Sequence, residues 1–144
     1  MKLHHAPIRL TAGALILNSG WDKRDADEET AQGLHGMASG AYPFLGKIPP
    51  TGFVRLLSAG EIALGTALLL PVVPARLAGA GLAAFAAGLV GLYLRTPGMR
   101  KEGSLRPTQD GLSLAKDTCL LGVGLTLLLD GCRRDDEVTI IAEA

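Results

Sequence analysis

The chain is poor in the residues that anchor a water-soluble core. Only 4% of its 144 residues are aromatic and 19% are charged. A soluble domain of this length normally has more of both. Its two cysteines, Cys119 and Cys132, form no CxxC pair. Thirteen residues apart on one helix, they would sit roughly 20 Å from each other, too far to bridge. There is no haem ligand pair, flavin fingerprint or iron–sulfur cysteine set. His4, His5 and His35 lack metal-ligand spacing, so no metal site is expected, and the adjacent His4 and His5 are expected at the membrane surface. The formal net charge is zero and no basic stripe runs along the chain, which argues against nucleic acid as a partner.

What the chain does have is leucine, alanine, glycine and valine gathered in blocks. Hydrophobic residues make up 48%, and the mean hydropathy is +0.30. Crossing the hydrocarbon core takes about 20 helical residues. Four blocks approach that length, giving helices at about 4–21, 53–73, 76–95 and 111–131. The fold expected is all-α: an integral membrane four-helix bundle forming a single domain over 1–144. A cleaved signal peptide is the rival reading of the first block, but Arg9 interrupts its apolar run and "NSGWDKRD" offers no small-x-small cleavage site. A retained helix is therefore the expectation. A soluble helical bundle is the alternative fold, excluded if the chain stays in the membrane pellet after an alkaline wash.

The connections are polar: a long segment 22–52, a second loop 96–110, a tight "PVVPAR" turn between helices two and three, and a charged tail 132–144. Within the long segment, Leu34, Met37, Ala38, Ala41, Tyr42 and Leu45 recur at helical spacing, which predicts a surface amphipathic helix between helices one and two. In helix three, Gly79, Ala83, Ala87 and Gly91 form one stripe of small residues, and Ala80, Ala84 and Gly88 form another. Such stripes let helix backbones approach closely in lipid, within the chain or in a homo-oligomer.

Polar residues converge at one depth. Alternating helices put Asn18 and Lys23, Arg55 and Glu61, Arg95, and Lys116 with Asp117 in the same leaflet. Each unpaired charge near a helix centre would cost about 2.5–3.5 kcal/mol. Turning these groups inward is cheaper, with Lys116 pairing Glu61 or Asp117. Lys116 and Asp117 point about 100° apart, so one can face the bundle while the other reaches outward. The binding site expected is this intramembrane cluster: Glu61, Lys116, Asp117, Asn18, Lys23, Arg55 and Arg95. At the opposite surface, Arg9, Arg76, Asp130, Arg133 and Arg134 are expected to snorkel as interfacial anchors or to pair there. Five Lys or Arg lie near that surface and eight near the cluster's side, so the positive-inside rule puts loops 22–52 and 96–110 in the cytoplasm.

Arg9, "SGWDK", "GEIALGTALLL" and "KDTCLLGVGLTLLLDG", in that order, resemble the DoxX family of small four-helix membrane proteins, over roughly residues 8–131. The matching motif positions are Lys23, Glu61 and Lys116, with Asp117 beside it. The charged insert Asp22 to Glu29 and the acidic tail Asp135 to Glu137 depart from that pattern. The resemblance implies an inner (plasma) membrane protein acting as an accessory or docking subunit of a redox complex. Its partners would be the bilayer and an oxidoreductase; it would carry no covalent cofactor and would not be catalytic alone. Two alternatives use the buried cluster directly, as a quinone-binding site or as a small proton-coupled transporter or channel.

Overall fold

The computed structural model describes residues 5–142, with side chains as far as Asp130. Five α-helices follow one another: α1 (Ala6–Arg24), α2 (Glu28–Ala41), α3 (Pro50–Leu69), α4 (Ala75–Arg95) and α5 (Leu112–Ala142). A short 3-10 turn, Pro43–Lys47, separates α2 from α3. No strand forms among the described residues; one isolated bridge joins Arg100 to Pro107.

Proline sets several of these boundaries. Pro7 lies in the first turn of α1, Pro43 opens the 3-10 turn, and Pro50 opens α3. A missing N–H costs nothing at a helix start, where the donor has no partner in any case. Pro71 and Pro74 flank the turn between α3 and α4, where the same missing donor prevents either helix from continuing.

Three helices are long and apolar enough to cross a membrane: α3, α4, and α5 from Leu112 to Asp130. Their outward leucines, such as Leu56, Leu77 and Leu129, are more than half exposed. Such faces suit a bilayer better than water. The first helix is of similar length, 19 residues, but falls outside that set because it carries Arg9, Asp22, Lys23 and Arg24. Helix α1 also runs past the expected end at 21, so Lys23 lies on its last turn. At the other end of the chain α5 continues through 31 residues into the expected tail. His4 and the side chains of Cys132, Arg133 and Arg134 lie outside the described residues.

The helices pair as two antiparallel couples, α1 with α3 and α4 with α5, and the couples touch each other only sparingly. Glycine makes each couple tight. A Cβ on Gly65 would lie 2.6 Å from the Leu17 amide nitrogen, and one on Gly79 would lie 2.6 Å from that of Leu128. The small stripe of α4 is thus split in function. Gly79 and Ala83 are buried against α5, while Ala84 and Gly88 face a cavity between the couples. Gly79→Leu is expected to force α4 and α5 apart and destabilise the protein by about 1–3 kcal/mol. Gly122→Leu, where a Cβ meets nothing within 4 Å, should leave thermal stability in detergent unchanged.

The amphipathic segment is a 14-residue helix, and its apolar face meets the chain's own helices. Ala31, Ala38 and Ala41 are buried, and α2 contacts both α3 and α4. Their small side chains bring the α2 backbone close, so Tyr42 reaches the Gly88 carbonyl with its hydroxyl at 2.9 Å. Asp27 caps α2 by accepting from the Thr30 amide at 2.8 Å. Hydrogen bonding from the Thr30 side chain and amide holds the Asp27 carboxyl below its ordinary range. A carboxyl depressed in the folded state stabilises it above the unfolded value and loses that effect as pH falls through the folded one. Protection of the first-turn amides of α2, taken relative to the intrinsic exchange rate at each pH, is therefore expected to fall below about pH 4, and Asp27→Ala to abolish that fall.

Candidate functional site

The chain ends of α1 and α4 and the chain starts of α3 and α5 lie at one end of the bundle, together with α2 and loop 96–110. Between the two couples, at that end, is a partly open cavity of about 600 Å³. Small-molecule sites run to roughly 300–1,000 Å³. Its wall is mainly apolar, with Ile16, Leu57, Phe85 and Leu120 from four different helices. Helix α2 closes one side with Leu34, Met37 and Ala38.

Polar groups enter this wall at few points. Glu61, only 3% exposed, is brought against α1 because Gly20 has no side chain: a Cβ there would sit 2.9 Å from that of Glu61. The Lys23 ammonium donates to Glu61 Oε2 at 2.9 Å. Its other donors go one turn back along α1, to the Ser19 hydroxyl at 2.6 Å and the Ser19 carbonyl at 3.1 Å. Ser58, one turn before Glu61 on α3, donates to the Gly20 carbonyl at 2.7 Å. Lys23, Ser19 and Glu61 line the cavity from one couple, and Asp117 lines it from the other.

The expected cluster is therefore only partly assembled here. Glu61, Lys23 and Asp117 meet at the cavity. Arg95 instead fastens α2, donating to the Ala41 carbonyl at 3.3 Å and lying 5.1 Å from the Tyr42 ring centroid. Asn18 is exposed and donates to Asp22 at 3.0 Å, while Arg55 is exposed on the outer face of α3. The expected pairing of Lys116 with Glu61 or Asp117 does not form. Lys116 is exposed, since the 100° step that turns Asp117 to the cavity turns its neighbour away. Lys23 takes the place at Glu61 because α1, not α5, packs on that face of α3.

Two residues expected at the opposite surface are also buried. Arg9 is 1% exposed. It donates to four carbonyls at the end of α3, those of Ala67, Leu68, Leu70 and Val73, at 2.8–3.0 Å. His5 is 4% exposed, with Nε2 2.6 Å from Asp130 Oδ2, so it ties the start of α1 to α5.

Sequence reading missed Ser19, Ser58 and Tyr42. The spacing of Ser19 and Lys23, one turn apart on the face that carries Gly20, is the signal that could have placed the first. Tyr42 has no comparable signal, because its partner Gly88 lies 46 residues away.

Loop 96–110 is held over the same end. Tyr93 donates to the Leu105 carbonyl at 2.7 Å, and Thr108 to that of Gly98 at 2.6 Å. Gly98 and Gly103 take φ values of +84° and +68°, which only glycine adopts without strain. The fold of the loop brings Met99 and Asp110 to the cavity.

Chemically, the site offers an apolar volume, a cancelled ion pair and two further carboxylates, Asp117 in the wall and Asp110 at the exposed loop. No family model, curated protein or solved structure matches this chain.

Proposed function

We propose that the chain is a multi-pass membrane protein, a four-helix bundle of α1, α3, α4 and α5, that holds a small amphipathic molecule between its helical couples. The observation that carries this reading is the cavity itself: apolar walls with the Lys23–Glu61 pair set into them. Ionisable groups at membrane depth are costly, and they mark binding or transfer sites more often than not. The test is purification of the full chain in mild detergent, solvent extraction and mass spectrometry of what is released. A small molecule in fixed ratio supports the reading, and Gly88→Leu, which projects into the cavity, is expected to reduce its recovery several-fold. Failure to recover one, together with failure of the purified chain to bind an added short-chain quinone analogue, overturns it.

A second reading follows from the DoxX resemblance and from proton-bearing groups, Lys23, Ser19 and Asp117, at an apolar wall. The ligand is then a quinone, and the chain is an accessory subunit of a redox complex in the inner (plasma) membrane. Electrons come from a partner oxidoreductase, and loops 22–52 and 96–110 face the cytoplasm as its docking surface. A pull-down from native membranes should recover a flavin, haem or metal enzyme in fixed ratio. Glu61→Gln should keep that partner and lose quinone-dependent turnover by at least about tenfold, the lower end of what a positioned proton carrier contributes being near 10². Recovery of the chain alone counts against this second reading.

A further inference from the structure

We propose that the cavity selects a monovalent lipophilic organic cation, for which the Asp117 carboxylate is the counter-charge. The inference rests on the cavity being a ligand site and names the charge of what enters it; it does not rest on the redox reading.

Four charged side chains line the cavity: Lys23, Glu61, Asp110 and Asp117. At neutral pH that is one positive and three negative charges, a formal sum of −2. The Lys23 ammonium is committed to Glu61 and Ser19, so this couple cancels. Asp110 is exposed, in the loop before α5. Asp117 is different: it is half-buried at the cavity wall on the first turns of α5, within electrostatic reach of Glu61 and Lys23 but in no hydrogen bond or salt bridge among the described residues. Its neighbour Lys116 is turned outward and exposed, so it does not supply the missing positive charge.

An unpaired carboxylate facing an apolar volume is unfavourable as the ion and either holds a proton or gains from an opposite charge brought beside it. The shape and lining of the volume decide what can bring that charge. A hard metal cation needs six or more oxygen ligands, and apolar side chains do not provide them. An anion would meet net negative charge with the cavity's ammonium already occupied, and a neutral ligand would draw nothing from the Asp117 charge. A cation carried on an apolar skeleton satisfies both parts of the site. Phe53, Phe85 and Tyr42 also lie in the wall, and aromatic faces attract organic cations.

The experiment compares two ions of one shape and opposite charge, tetraphenylphosphonium and tetraphenylborate. Binding to the full chain in lipid nanodiscs is measured by equilibrium dialysis, with empty nanodiscs subtracted. Saturable binding of the phosphonium and none of the borate is expected. Asp117→Asn should weaken phosphonium binding at least about tenfold, Asp117→Glu should retain it, and Lys116→Gln should leave it unchanged. Equal saturable binding of both ions by the unaltered chain overturns the inference, whether or not the Asp117 variants fold. So does phosphonium affinity that Asp117→Asn leaves intact. A short-chain quinone analogue serves as the neutral arm. If it binds saturably and the phosphonium does not, the cation inference fails and the ligand cavity stands; if neither binds, both fail.

Discussion

Arg9→Met is expected to destabilise the protein by about 3–5 kcal/mol, measured as unfolding in detergent by a denaturant series. The reason lies at the end of α3. The carbonyl of Ala67 would normally accept from the residue four positions on, which is Pro71, and proline has no N–H. The helix ends at Leu69, so the carbonyl of Leu68 has no following turn to bond, and that of Leu70 receives only a long bond, 3.3 Å, from the Val73 amide. All three, with Val73 beyond them, are satisfied by one guanidinium. Its positive charge also sits at the negative end of the α3 dipole, and no carboxylate among the described residues pairs with it. Methionine fills much of the same volume but donates nothing, so several carbonyls lose their partner at once. Arg9→Lys is expected to recover only part of the loss. An ammonium donates from a single point, whereas the planar fork of arginine reaches four separated acceptors. Equal stability of Arg9→Met and the unaltered chain would mean that water reaches this turn and that the four bonds are replaceable.

The second large effect is expected at the Lys23–Glu61 pair. Lys23→Met should cost about 3–5 kcal/mol, because it leaves a carboxylate that is 3% exposed without its counter-charge. The double variant Lys23→Met/Glu61→Leu should regain most of that loss. Removing both charges removes the desolvation penalty along with the attraction, and well-packed apolar replacements of a buried pair are often neutral. The measurement is a double-mutant cycle on unfolding free energy, with Glu61→Leu as the other single variant. A coupling smaller than about 0.5 kcal/mol would show that Lys23 and Glu61 are held by their own helices and not by each other. The cycle also separates roles. If the double variant is stable yet binds no ligand, the pair is retained for the cavity and not for the fold.

Several features could be read from the chain before its structure was known. The blocks around 53–73, 76–95 and 111–131 became α3, α4 and α5, because a run of some 20 apolar residues can satisfy its backbone in lipid only as a helix. The same runs, ended by prolines, fixed where α3 stops and α4 starts. The depth argument also brought Glu61, Lys23 and Asp117 to one level, since helix rise converts sequence position directly into height along the bundle.

Height is one coordinate, and rotation about each helix axis is the other. Rotation depends on which helix packs against which face, and a single helix does not contain that information. Lys116 and Asp117 share a level yet point about 100° apart, one to the outside and one to the cavity. Arg55 and Glu61 stand on the same helix, but only Glu61 faces α1. Arg9, which reads as a surface anchor from its position near a helix start, is buried because the C-terminal carbonyls of α3 lie beside it.

The sequence by itself determined that the chain is helical and at what level its three apolar helices α3, α4 and α5 lie, because these follow from local composition and backbone hydrogen bonding; it understated the lengths of α1 and α5. Only the tertiary structure decided the pairing of α1 with α3 and α4 with α5, the placing of α2 over the gap between them, and hence the cavity and its charges. Those choices rest on contacts between residues tens of positions apart, made close by Gly20, Gly65, Gly79 and Gly124, where the absence of a side chain takes its meaning from the helix that occupies the space.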